Sequence, residues 1–155
     1  MSARSREGRL FRKYQAALIH EFGRDALDSS QVNKVGRREL GSHWGGCHPS
    51  DWTKLKPNKY YVFNTDPSTK PGEHWLGGVS TTSNFYLYDS YARDAPKLVK
   101  NLTKTIQKAG YIIPPEDHKK FMEQKGFSSQ VCGHDSISFN LVARDMGIRA
   151  AARLI

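Results

Sequence analysis

The sequence predicts an α+β domain: a central, mainly antiparallel sheet over residues 59–113, flanked by helices, with a cysteine at the N-terminus of one of them. Three observations predict this. Apolar residues recur at helical spacing at both ends of the chain. Aromatic and β-branched runs, cut by polar turns, fill the middle. Cys132 stands between a serine-rich turn and an apolar run, in SSQVCGHDSISF over residues 128–139.

From Arg9 to Phe22 the apolar residues Leu10, Phe11, Tyr14, Ala17, Leu18 and Phe22 lie on one side of a helix, which Gly23 stops. A second short helix is expected within residues 28–40. GSHWGGCHPSDWTKLKP, residues 41–57, is Gly- and Pro-rich and predicts a loop. Tyr60 to Phe63 predicts a strand and residues 64–72 a loop. His74 to Ser80 and Phe85 to Asp89 predict a hairpin around the turn TTSN. Asp94 is placed to cap a helix carrying Leu98, Val99, Leu102 and Ile106, ended by Gly110. Tyr111 to Ile113 predicts a short strand before Pro114 and Pro115. After Cys132, SISFNL alternates as a strand would. Phe139, Val142, Ala143 and Met146 suit a helix stopped by Gly147, and helix is the reading adopted. IRAAARLI predicts a last short helix. Residues 1–27 are expected to form a basic helical extension or arm, and residues 28–155 one domain.

Composition narrows the function. The 155 residues contain 24 basic and 15 acidic side chains, a net charge of +9. Such a balance attracts polyanions, most often nucleic acid. Arg4, Arg6, Arg9, Arg12 and Lys13 form one basic cluster; Lys97, Lys100, Lys104 and Lys108 form another along one helix face. No stretch approaches the ~20 apolar residues of a membrane span. The opening MSARSREGRLFRKYQ lacks the apolar region of a secretory leader. With two cysteines 85 positions apart, free thiols in a reducing compartment are expected rather than a disulfide scaffold. A monomer that is neither secreted nor membrane-bound is the expectation.

The hairpin supplies the first candidate site. A turn centred between Thr82 and Ser83 pairs Ser80 with Phe85 and Leu76 with Asp89, which puts His74 diagonal to Asp89 on one face. An imidazole beside a carboxylate at a strand end is the base-and-orienter pair of nucleophilic catalysis. Cys132 offers the nucleophile. Ser128 and Ser129 can cap a following helix, whose free N–H groups and dipole favour a thiolate. Gly133 lets the backbone approach a substrate carbonyl, and N–H groups of this turn can line an oxyanion hole. Gln124 and Gln130 are the candidate side-chain donors to that hole.

Other arrangements fit less well. A chymotrypsin-like cysteine protease needs two β-barrels, and a papain-like one places Cys before His. Zinc held by His43, Cys47, His48 and His74 would need ligands converging without paired spacing. His134, two residues from Cys132 on a helix, points to a different side.

Gly72-Glu73-His74-Trp75, Leu87-Tyr88-Asp89-Ser90, Gln124 and Cys132-Gly133, in that order, resemble the adenovirus protease (adenain) family of cysteine proteases, in the clan shared with SUMO and other ubiquitin-like-specific proteases. Val62-Phe63-Asn64-Thr65 leading into His74-Trp75, and Leu40-Gly41-Ser42-His43-Trp44 upstream, resemble the viral branch more closely. The similarity spans roughly residues 30–147. It implies a viral-type thiol endopeptidase that matures virion precursor polypeptides. His74 would be general base, Asp89 its orienting partner, Cys132 nucleophile and Gln124 oxyanion donor, with Trp75 packed beside the site. The chemistry would need no cofactor. The resemblance also implies activation by DNA and by a short viral peptide, and a location in the virion and in the host nucleus or cytoplasm. No cysteine lies between Asp89 and Cys132, so a disulfide-linked peptide is not expected. A protease for ubiquitin-like modifiers, and a non-catalytic basic DNA-binding virion protein, are the alternative readings.

Overall fold

A computed structural model describes residues 5–70, 74–115 and 130–155. Its architecture is α+β, a four-stranded mixed sheet flanked by helices.

Helix α1 spans Arg6–Phe22 and starts a turn earlier than the apolar periodicity alone suggests. The reason is Ser5, whose hydroxyl accepts from the Gly8 N–H at 3.0 Å and supplies a cap. Helix α2, Ser29–Leu40, opens on a capping box in which Asp28 and Gln31 satisfy each other's backbone N–H groups. The segment read as an N-terminal extension therefore carries α1, and Phe11 and Leu18 of that helix are buried in the same cores as residues of the C-terminal half.

The sheet order is β1 (Trp44–His48), β2 (Tyr60–Asn64), β3 (Trp75–Ser80) and β4 (Phe85–Tyr88). Strand β1 is a correction to the expected loop over 41–57: it follows a 3-10 turn at Gly41–His43 and runs parallel to β2. WGGCH has neither alternation nor a β-branched residue, so its sequence gives no strand signal; pairing with β2 makes the strand. The β2–β3 and β3–β4 pairs are antiparallel. Ser80 pairs with Phe85 and Gly77 with Tyr88, the register expected for the hairpin.

Both faces of the sheet are covered. Tyr61, Phe63, Leu76, Phe85 and Leu87 pack with Val99, Leu102 and Ile106. Val79, Tyr86 and Tyr88 pack with Phe11, Phe139 and Val142, and Val62 packs with Ile137 and Leu141. A sheet buried on both sides reads as continuous apolar runs, which is why these strands show little polar alternation. Burial of each large side chain contributes about 2 kcal/mol.

The helix expected after Asp94 is two pieces, α3 (Ala95–Leu98) and α4 (Lys100–Lys108). Val99 leaves the helical region, at φ −123° and ψ 67°, and is itself buried in the sheet-facing core. Residues 111–113 add only an isolated bridge between Asn84 and Ile112 in place of the expected strand. Ile112 is 63% exposed, so nothing packs it into a ladder.

Helix α5, Cys132–Met146, settles the helix-or-strand ambiguity. It is buried from Cys132 through Ala143 and lies against α1, α2, β2 and β3. Such a central helix has no polar face, and its serines bond back to their own helix: Ser136 Oγ to Cys132 O at 2.7 Å, Ser138 Oγ to His134 O at 2.8 Å. Gly77 lets α5 come close. A Cβ there would stand 3.1 Å from the Ser136 carbonyl oxygen and 3.2 Å from the Phe139 ring. The C-terminal segment folds as α6 (Ile148–Ala151) and a 3-10 turn, Ala152–Leu154.

Candidate active site

Three elements meet at one end of β3. His74 immediately precedes that strand, Asp89 immediately follows β4, and Cys132 opens α5. The hairpin register carries His74 to Asp89, and the close seating of α5 on Gly77 carries the sulfur to the same place.

His74 Nε2 and Asp89 Oδ1 are 2.5 Å apart. The Asp89 side chain is fully buried and that of His74 is 11% exposed. With Nε2 committed to the carboxylate, Nδ1 is the ring nitrogen left to serve Cys132, whose side chain also acts on the ring. Burial alone would favour neutral imidazole. The hydrogen bonds and charges of Asp89 and Cys132 outweigh it and raise the His74 pKa to about 9. The ring is therefore an imidazolium at neutral pH. For Asp89, burial favours the neutral acid, but His74 and Arg93 reverse this and hold the carboxyl below its usual range.

Cys132 is buried, 7% exposed, and occupies the first position of a fifteen-residue helix. The N–H groups of a first helical turn have no partner inside the helix. The sulfur also accepts from the backbone N–H of Trp75, at 3.4 Å. Backbone donors, the helix dipole and the imidazole thus converge on the sulfur. Helix N-cap geometry belongs to Val131, which offers no side-chain cap; Ser128 and Ser129 lie outside the described residues.

Trp75 flanks the site, its indole N–H donating to Leu27 O at 3.0 Å. The absent side chain of Gly133 makes room for it: a Cβ would lie 3.1 Å from the Trp75 ring and 3.2 Å from Leu27. Gly133 thus serves packing within the chain. Of the two candidate oxyanion donors, Gln124 lies outside the described residues. Gln130 turns its side-chain carbonyl to the Ala26 N–H at 3.2 Å. His134 points away from the sulfur and bonds Gly23 O at 2.8 Å.

Two residues of this site carry no signal that side-chain chemistry alone would single out. Arg93 donates to Asp89 from its backbone N–H (3.1 Å), Nε (2.8 Å) and Nη2 (3.3 Å). Tyr91 stands beside the imidazole, ring centroids 5.4 Å apart. The spacing D-S-Y-A-R, an acid four residues before an arginine, was the available clue to Arg93.

A cleft of about 320 Å³ runs from Trp75 along Cys47, His48, Asn64, Asp66 and Ser68. Among the described residues, no three or more His, Cys, Asp or Glu side chains are placed to share a metal ion. No described helix is long and apolar enough to cross a membrane. The chain matches no protein-family model and no curated protein.

Proposed function

We propose that this chain is a cysteine endopeptidase that hydrolyses peptide bonds through a Cys132–His74–Asp89 triad, of the viral maturation type its sequence resembles. The observation that carries the proposal is an imidazole bonded to a buried carboxylate and within electrostatic reach of a sulfur at a helix N-terminus. Nucleophile, base and orienting acid come from three separate segments that the fold brings to one place.

In the proposed reaction the Cys132 thiolate attacks the scissile carbonyl. The carbonyl oxygen becomes an oxyanion held by backbone N–H groups of the Cys132 turn, with Gln124 as the proposed side-chain donor. His74 gives its proton to the leaving amine as the C–N bond breaks, which leaves a thioester on the sulfur. The neutral imidazole then takes a proton from water, whose oxygen attacks the thioester carbonyl. The acid product departs, and the thiolate–imidazolium pair is restored. Asp89 stabilises the imidazolium throughout and needs no protonation of its own.

The proposed substrates are virion precursor polypeptides, and no cofactor enters the chemistry. DNA is the proposed activating partner, in a virion or a host nucleus or cytoplasm. Arg6, Arg9, Arg12 and Lys13 on α1, and Lys100, Lys104 and Lys108 on α4, are exposed and basic. Binding of that kind is insensitive to sequence and weakens steeply with salt.

The test is hydrolysis of a panel of short peptides with small residues near the cut, set against Gly-Gly-ending modifier fusions, with and without DNA. Cleavage of the peptides and its loss in Cys132→Ala support the proposal. Preference for the modifier fusions would move it to the alternative protease class. DNA binding with no cleavage of anything would leave a packaging protein.

A further inference from the structure

We propose that Arg93 is a positioning residue of this site: it fixes the plane of the Asp89 carboxylate, and through it the orientation of His74 toward the Cys132 sulfur. The inference rests on the triad reading, and its test is chosen to be readable without any substrate.

The carboxylate receives four hydrogen bonds, one from His74 and three from Arg93. Both donors to Oδ2 belong to Arg93. A carboxylate held at one oxygen by an imidazole can still swing about its Cβ–Cγ bond; a guanidinium fork across both oxygens stops that rotation. Asp89 is fully buried, so water does not replace the fork. This is unlike an ordinary exposed i,i+4 pair, in which both partners are solvated.

The backbone is bent to achieve it. Ala92 has φ +57°, a conformation that residues with a side chain seldom adopt. Its N–H closes a turn onto Asp89 O at 2.9 Å, and the turn brings Arg93 back over the residue four positions earlier. Strain of this kind persists where the surroundings over-determine it, and such places cluster at functional sites. The same turn sets Tyr91 between two partners. Its ring lies 5.4 Å from the His74 ring and 4.9 Å from the Arg93 guanidinium. Residues 89–93 therefore hold the imidazole at its Nε2 edge and along its flank.

Among the described residues, the charged and titratable groups facing the carboxylate are His74 and Arg93, with Tyr91 also within its electrostatic reach. Cys132 faces the imidazole from α5, and Tyr91 faces it from the turn. Arg93 also lies within electrostatic reach of Cys132. Loss of Arg93 thus loosens the orienter and removes a cation from the neighbourhood of the sulfur. Both effects delay thiol reactivity to higher pH.

The experiment compares the full chain with Arg93→Met and Arg93→Lys. The rate of iodoacetamide alkylation at Cys132 is followed against pH, with the Cys132 and Cys47 peptides separated by mass spectrometry. In Arg93→Met the pH at which Cys132 becomes reactive should rise by about one unit. Where hydrolysis is measurable, kcat should fall about 10- to 100-fold with KM little changed. Arg93→Lys keeps the cation without the fork, so it should restore the parent's pH limb only in part and leave kcat low. An Arg93→Met limb that coincides with the parent's overturns the proposal, whatever happens to the amount of active protein. If Arg93→Met does not fold, Arg93→Lys decides: full parental kcat and limb in that variant rule positioning out. A parent chain that cleaves no peptide removes the protease reading, yet the alkylation limbs still decide the role of Arg93.

Discussion

The chain holds two cysteine–histidine pairs, and they differ in almost every respect that matters for reactivity. Cys47 and His48 are neighbours in sequence, on strand β1. Cys132 and His74 are 58 positions apart and meet only in the fold. Burial, with Asp28 nearby, pushes the Cys47 thiol up to about 12, so it stays protonated. His48 offers it no help. Burial lowers that histidine's proton affinity, its Nε2 is tied to Gly45 O at 2.7 Å, and its ring stacks on Trp52 at 3.8 Å. Gly46, at φ +108°, permits this curl, because a Cβ there would collide with the His48 ring at 2.4 Å. At the other pair, a buried carboxylate turns the same desolvation into a charged imidazole. Adjacency in sequence leaves a protonated thiol beside a tied histidine, and remoteness sets a thiol group against a charged imidazole, because what decides is the partner brought by the fold.

The largest contrast is in hydrolysis. Cys132→Ala should abolish peptide cleavage, a loss of about 10⁴-fold or more, since no other nucleophile among the described residues shares the imidazole. Steady-state assays on the peptide panel measure it. Residual cleavage within tenfold of the parent would remove the distinction between the two pairs altogether.

The second contrast is in pH-dependent stability. The proton affinity of His74 is raised on folding, so its contribution is complete below the unfolded value near 6.5 and disappears as pH rises through about 9. Denaturant unfolding should lose on the order of 3 kcal/mol, as an upper bound, between those limits. The Asp89 hydrogen bond is the largest single effect raising the value, so Cys132→Ala should keep part of the slope. His74→Asn should lose it. His48 has a lowered value and cannot produce a decline in this window. A slope that survives in His74→Asn would assign the effect elsewhere.

The third expectation concerns the seating of α5. Gly77→Ala puts a methyl 3.1 Å from the Ser136 carbonyl, a backbone atom that cannot step aside without moving the helix. A cost of about 1–3 kcal/mol is expected, as for overpacking of a close-fitted core. Because the same helix carries Cys132, cleavage should fall further than the fraction folded does. Activity that merely tracks folded protein would show that the sulfur does not depend on this contact.

What the sequence disclosed follows from where its signals are local. The hairpin register was legible because TTSN fixes the turn and strands have period two, and from the register came the His74–Asp89 diagonal. The helical nature of the Cys132 segment was legible from Phe139, Val142 and Met146, though its serines imitate strand alternation. Strand β1 was not legible, since its pairing with Tyr60–Phe63 is supplied by the partner and not by WGGCH. The break at Val99 was hidden by an unbroken apolar stripe. At the site, the Trp75 amide donating to sulfur is a backbone group, invisible to any search of side-chain types. Arg93 needed the positive φ of Ala92, which no propensity of alanine suggests.

The smallest effect is the one that completes the comparison. Cys47 lines the cleft that begins at Trp75, so a second thiol lies in that cleft yet has no base and stays protonated. Cys47→Ala should change hydrolysis less than twofold, and its cost in stability should stay near 1 kcal/mol, since the residue is only partly buried. Alkylation should find Cys47 slow at every pH below about 9 and slower there than Cys132. If Cys47→Ala instead halves kcat or more, the cleft wall shapes the approach of the peptide. If Cys47 is alkylated as fast as Cys132, the charge on His74 is not what separates the two thiols.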